Sequence, residues 1–115
     1  MNIAIILISG EGKRFNSELP KQFTIVNSRP LYLYTLDRFY HFKEIDKIIL
    51  VTKKEYLSLV KKDLCFYKYH NVDVIIGDNA RYLSVINALN YISSFANEND
   101  NVLIHDGVRC NVSKA

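Results

Sequence analysis

Four short runs of apolar, largely β-branched residues recur along the chain: Ile3 to Ile8, Ile48 to Thr52, Val72 to Ile76 and Val102 to His105. Apart from Asp73 and the polar residues at their ends, these runs do not alternate, and a strand that is apolar on every side chain needs cover on both faces. The pattern predicts a parallel sheet sandwiched between helices. The intervening segments supply helical signals. Pro30 suits the first turn of a helix through its fixed φ, and Leu33, Leu36, Phe39 and Tyr40 then recur at helical spacing, up to about His41. Lys53 to about Phe66 carries Tyr56, Leu59, Val60 and Leu64 on one face, and Asn79 to about Phe95 carries Leu83, Ile86, Leu89 and Tyr91 to Ile92. The order β, long loop, α, β, α, β, α, β predicts an α/β fold with right-handed crossovers, whose ligands bind at the carboxyl ends of the strands.

The 115 residues suffice for one domain, and a composition 49% hydrophobic and 23% charged excludes wholesale disorder. Fifteen Lys and Arg against 12 Asp and Glu leave a charge of +3. The surplus is scattered, so neither nucleic acid nor a membrane surface is an expected partner. The two cysteines, Cys65 and Cys110, match no metal-ligand spacing. They fit a reducing compartment, and the start of the chain lacks the basic flank and cleavage site of a signal peptide, so a soluble, cytoplasmic protein is expected.

The strand-end rule singles out three loops. The first reads Ser9-Gly10-Glu11-Gly12-Lys13-Arg14-Phe15 and continues to Pro20-Lys21-Gln22-Phe23. Glycines allow close approach of the main chain, and successive N–H groups beside cations suit phosphate oxygens. It is not a P-loop, because no Gly-Lys-Ser/Thr closes it, and Phe15 stands where a dinucleotide fingerprint needs its third glycine. A lone Gly-x-Gly also reads as a solvated surface turn. The second cationic element tips the balance, since Arg14 and Lys21 together would neutralise charge developing on a transferring phosphoryl group.

The second loop, Gly77-Asp78-Asn79-Ala80-Arg81-Tyr82-Leu83-Ser84, has a glycine for a sharp exit and Asp78 or Asn79 as a helix cap. Arg81 and Ser84 fall near the first turn, facing a ligand over the sheet; a plain N-cap with a solvated arginine reads equally well. In the third, His105-Asp106-Gly107-Val108-Arg109, Asp106 is a candidate Mg²⁺ ligand or a turn former, and Arg109 a holder of a second anion. No serine or cysteine partners His105, which is read as structural. His41 and His70 fall in surface stretches.

In this order, the three loops resemble one family, the cytidylyltransferases that join CTP to a sugar-alcohol phosphate, typified by the enzymes acting on 2-C-methyl-D-erythritol 4-phosphate, in isoprenoid biosynthesis, and on D-ribitol 5-phosphate. The resemblance is carried by Ala4 to Phe15, Pro20 to Phe23, Arg29-Pro30-Leu31, Tyr34-Thr35-Leu36, Gly77 to Leu89 and Ile104 to Arg109. It implies a Rossmann-like nucleotidyltransferase fold, with a mostly parallel sheet and flanking helices, of which residues 1–115 form the N-terminal, CTP-binding part. The C-terminal half, with further contacts and a dimerisation arm, would then be missing, and the sheet left with an exposed edge.

By the same resemblance, Ile8, Ser9, Gly10, Glu11, Gly12 and Lys13 would cradle CTP, and Arg14 and Lys21 would stabilise the pentacoordinate α-phosphorus. Gly77, Asp78, Arg81 and Ser84 would line the nucleotide, Asp106 would lie near Mg²⁺ and the acceptor, and Arg109 near the acceptor phosphate. A full-length homodimer is implied. Two departures stand out: Ser9 replaces the usual alanine or glycine, and Cys110 replaces the proline expected after Arg109.

Overall fold

The computed structural model describes residues 1–9, 21–78 and 80–107, with Lys21 described by its main chain alone. Four parallel strands make the sheet: β1 (Asn2–Leu7), β4 (Lys47–Thr52), β5 (Val72–Ile76) and β6 (Asn101–Asp106), in the order β5-β4-β1-β6. The helices are α1 (Leu31–Tyr40), α2 (Leu57–Phe66) and α3 (Arg81–Ile92). The order reverses direction at β1, whose neighbours are β4 on one side and β6 on the other. A crevice at the carboxyl ends forms at such a switch point.

Strand alternation divides the core between two faces. Ala4, Ile6 and Ile8, with Ile48 and Leu50 of β4, pack against Leu33 and Leu36 of α1 and Val60 and Leu64 of α2. On the opposite face Ile3, Ile5 and Leu7, with Ile49 and Val51, meet Ala88 and Ile92 of α3. The central strands are therefore apolar throughout because both faces are covered, as expected.

The outer strands depart from that expectation. β5 is half-buried, and Val102, Leu103 and Ile104 of β6 remain 37%, 46% and 39% exposed. Among the described residues β6 hydrogen-bonds only to β1, and α3 lies over β1, β4 and β5. The apolar run of β6 is thus matched by less cover from the described residues than the runs of β1 and β4 have.

The helices also differ in detail. Arg29–Pro30 forms β3 of a small antiparallel hairpin with β2 (Ile25–Val26), inside the expected long loop. Pro30 is paired with Ile25 in extended conformation (ψ 142°), so the helix begins after it. Lys53 precedes a short 3₁₀ turn, Lys54–Tyr56, and α2 starts only at Leu57. On α3 the buried face is Ser84, Ala88 and Ile92, whereas Ile86 and Leu89 are exposed. Small residues at i and i+4 bring this helix close to the sheet, so the bulky apolar residues are turned outward.

The tyrosines of the β2–β3 corner form a clamp. The Arg29 guanidinium lies 5.4, 5.3 and 5.9 Å from the ring centres of Tyr34, Tyr67 and Tyr69, within cation–π range. Arg29 also donates to the Tyr69 hydroxyl, and Tyr67 donates to the Ser28 carbonyl at 2.7 Å. Among the described residues no helix is long and apolar enough to cross a membrane.

Candidate active site

The ends of β1, β4, β5 and β6 are tied together by main-chain bonds. Ile8 N–H donates to Val51 C=O at 2.7 Å, Gly77 N–H to Thr52 C=O at 2.7 Å, and Gly107 N–H to Leu7 C=O at 2.8 Å. These bonds carry the ladder one residue past β1, β5 and β6 and bring Ile8, Gly77 and Gly107 to the same end of the sheet.

Ser84 stands at the centre of this junction. Its side chain is fully buried, its Oγ lies 3.0 Å from Ser9 Oγ, and it accepts a hydrogen bond from Asp78 N–H at 2.9 Å. Its own hydroxyl also reaches the Asp78 carbonyl at 3.2 Å. Ser84 thus fixes the Gly77–Asp78 turn, and the hydroxyl of Ser9, the departure noted in the sequence, faces inward on the same knot. The sequence offers both Asp78 and Asn79 as candidate caps of α3; the N-cap is Ala80, which makes no side-chain cap bond, and Asn79 lies outside the described residues. The serine one turn into the helix binds Asp78 N–H.

Glycine is required at two of these positions by space, since neither has a positive φ. A Cβ on Gly77 would stand 2.6 Å from Ser84 Oγ and 2.7 Å from Val51 Cγ1. A Cβ on Gly107 would overlap Ile8 Cγ2. Gly107 is further held by Thr35, whose hydroxyl donates to its carbonyl at 3.1 Å.

Of the residues expected to bind nucleotide, Ile8 has its main chain engaged within the protein, its N–H donating to Val51 C=O. Its side chain is core, and its carbonyl accepts from Gln22 Nε2 at 2.6 Å. Gly10, Glu11, Gly12, Lys13, Arg14 and Arg109 lie outside the described residues, as does Asn79, and of Lys21 only the main chain is described. Gly77, Asp78, Arg81, Ser84, Ser9 and Asp106 are brought to one end of the sheet. Arg81 and Asp106, assigned to separate tasks in the sequence, form an ion pair, Nε to Oδ1 at 3.2 Å. His105 packs its ring against Phe39, centroids 5.5 Å apart, in agreement with a structural role.

Sequence reasoning passed over the end of β4. Thr52 and Lys53 are both buried there, and the Thr52 hydroxyl has no hydrogen-bond partner among the described residues. The strand-end rule applied to the second run as well as the others would have found them. Gln22 was noted as part of a motif, but its bond to the strand end was not legible.

Among the described residues no three His, Cys, Asp or Glu side chains gather into a metal-binding group. Asp106 at the end of β6 fits Mg²⁺ of the kind held by one or two carboxylates together with substrate phosphates.

A sequence model of the family 2-C-methyl-D-erythritol 4-phosphate cytidylyltransferase matches residues 2–115. The protein of that name from Thermosipho melanesiensis is 43% identical over 114 residues, covering 99% of this chain and 50% of that protein. The ribitol-5-phosphate cytidylyltransferase of Lacticaseibacillus paracasei is 36% identical over 110 residues, covering 95% and 47%. A crystal structure of 4-diphosphocytidyl-2C-methyl-D-erythritol synthase from Anaerococcus prevotii is similar with a TM-score of 0.72 at 33% identity, over 96% of this chain and 44% of that one. The chain spans about half the length of the relatives it matches. With a strand order reversing at β1, Ser9, Gly77 and Gly107 gathered at the strand ends there and a family match along nearly its whole length, the chain belongs to the 2-C-methyl-D-erythritol 4-phosphate cytidylyltransferase family.

Proposed function

We propose that residues 1–115 are the CTP-binding part of a cytidylyltransferase that joins CTP to a sugar-alcohol phosphate. In this reaction a phosphate oxygen of the acceptor attacks the α-phosphorus of CTP, the bond to the β-phosphate breaks, and a CDP-alditol and pyrophosphate result. The observation that carries the reading is the family match over residues 2–115, which includes all three loops at the switch point.

The residues divide the work as follows. The loop from Ser9 to Lys13 would wrap the phosphates with main-chain N–H groups. Arg14 and Lys21 would neutralise the charge that grows on the α-phosphoryl oxygens, and Arg109 would hold the acceptor phosphate. Gly77 and Asp78, on a turn fastened by Ser84, would line the base and ribose with little reorganisation on binding. Asp106 would hold Mg²⁺, which when bound supplies charge neutralisation on the phosphates. Such chemistry runs on positioning and electrostatics and needs no covalent nucleophile.

For the acceptor, 2-C-methyl-D-erythritol 4-phosphate is favoured over D-ribitol 5-phosphate, because the relative named for the former is 43% identical and the one named for the latter 36%. The reading extends to a cytoplasmic location and, at full length, a homodimer. A second reading is a nucleotide-binding module of the same fold without turnover.

Calorimetric titration with CTP, UTP and ATP in Mg²⁺ tests the nucleotide assignment. CTP binding at least about ten-fold tighter than the other two, a difference of about 1.4 kcal/mol, is expected, and equal affinities would overturn it. Pyrophosphate release with each acceptor, compared with Lys21→Ala, separates the two readings: release lost in the variant marks an enzyme, and CTP binding without release marks a binding module.

A further inference from the structure

We infer that Arg81 is a resident counter-ion of Asp106 that gives way to the divalent cation, so that one carboxylate is held by guanidinium in the empty site and by metal in the loaded one. The inference rests on the cytidylyltransferase reading for the identity of the cation. Its own observation is the contact between two residues expected to serve separately, Arg81 Nε to Asp106 Oδ1 at 3.2 Å.

Geometry decides which partner moves. Asp106 is the last residue of β6, paired with Leu7 in the parallel ladder, and the next residue is anchored through both Gly107 N–H and Gly107 C=O. Its carboxylate is therefore delivered from a fixed main chain. Arg81 is the first residue of α3, and its side chain is 60% exposed against 33% for Asp106. Among the described residues the ion pair is the one polar contact of Arg81, and an exposed ion pair is weak and screened by salt. A divalent cation on the Asp106 carboxylate would stand within a few ångströms of the guanidinium, and like charges at that separation repel.

The released guanidinium remains tethered to the first residue of α3, at the carboxyl end of the sheet. Its planar donors match phosphate oxygens, so arrival of the cation and presentation of an anion-binding group become one event. Linkage then makes metal and polyphosphate binding mutually supportive. Arg81 acts here through Asp106, as a positioning residue for the metal.

The test uses Mn²⁺ alone as probe, with free ion measured by electron paramagnetic resonance at low ionic strength, on the 115-residue chain and its Arg81→Gln, Arg81→Lys and Asp106→Asn variants. Arg81→Gln is expected to bind Mn²⁺ about two- to five-fold tighter than the parent, of the order an exposed ion pair represents. Arg81→Lys should lie between them, and Asp106→Asn should abolish the difference. Far-UV circular dichroism checks that each variant is folded. In a second readout, Mg²⁺ should shift the Arg81 Nε–H resonance of the parent and leave it unmoved in Asp106→Asn.

Asp106-dependent Mn²⁺ binding that is equal in the parent and Arg81→Gln would overturn the exchange and leave the enzyme reading intact. So would a gain in affinity that survives Asp106→Asn. No Asp106-dependent binding in any variant would overturn the metal assignment and the exchange with it, while CTP selectivity, measured separately, would still report on the nucleotide reading.

Discussion

Replacing Gly77 with alanine puts a methyl group into a space already filled. Its Cβ would lie 2.6 Å from Ser84 Oγ, 2.7 Å from Val51 Cγ1 and 3.1 Å from Ser9 Cβ. None of these is the loose end of a flexible side chain: Ser84 and Val51 are fully buried and Ser9 nearly so. Overpacking of this kind costs about 1–3 kcal/mol. If the Ser84 hydroxyl swings away instead, its bonds to Ser9 and Asp78 N–H are lost, at about 1 kcal/mol each. Alanine stiffens the unfolded chain and offsets about 0.4–1 kcal/mol.

The net expectation is a loss of about 1–2.5 kcal/mol, or roughly 4–10 °C in Tm for a domain of this size. Thermal and urea unfolding followed by far-UV circular dichroism measure it. Val51→Ala removes the second obstruction, so the double variant should be more stable than the sum of the single effects by at least about 0.5 kcal/mol. A Gly77→Ala chain within about 0.5 kcal/mol of the parent, or strict additivity with Val51→Ala, would refute the steric argument.

Gly107→Ala is expected to cost about 3 kcal/mol, because the new Cβ overlaps Ile8 Cγ2 in the core and also approaches Leu7 O at 3.2 Å; the urea midpoint reads it. Ile5→Ala on the covered centre of the sheet should cost about 2–5 kcal/mol, and Leu103→Ala on the bare strand under about 1 kcal/mol, a contrast that chemical denaturation resolves. Tyr32→Phe removes a 2.8 Å hydrogen bond to Asp63, whose carboxyl burial pushes above its ordinary range while the Tyr32 hydroxyl and Lys62 pull it down. The folded state therefore holds the Asp63 proton more tightly than the unfolded one, and this group's contribution to stability falls as pH rises through the raised folded value. Because the lost donor favoured the carboxylate, the deficit of Tyr32→Phe should be about 1.5–3 kcal/mol at pH 7 and smaller at pH 3; a deficit that grows on acidification would contradict the assignment.

Much of the fold is legible in the sequence because strand cores report burial directly. Ile3 to Ile8 and Ile48 to Thr52 are apolar at every turn because β1 and β4 have neighbours on both edges and helices on both faces. Val102 to His105 carries the same signal without the same cover, since an apolar run records what a strand can tolerate rather than what lies over it. The buried stripe of α3 was misread for a related reason: periodicity weights large residues, whereas Ser84 and Ala88 are buried through closeness to the sheet. At the site, the residue types at the strand ends were readable, but the Arg81–Asp106 pair joins residues 25 apart in sequence and depends on the separation of β5–α3 from β6 in space. The clamp around Arg29 was equally hidden, as Tyr34 lies on α1 while Tyr67 and Tyr69 follow the end of α2.

The central position of β1 also sets an order of events during synthesis. Its first edge is satisfied when β4, from Lys47, becomes available, and its second only when Asn101–Asp106 has been made. At ribosomal rates of about 5–20 residues per second, the second edge waits roughly 5–20 s after β1 itself has been translated. For that interval the chain presents a strand reading Ile3-Ala4-Ile5-Ile6-Leu7 with one row of backbone donors and acceptors unpaired, a template for pairing with neighbouring nascent chains. The strand that anchors the finished sheet is thus the segment most in need of protection while the chain is still being made.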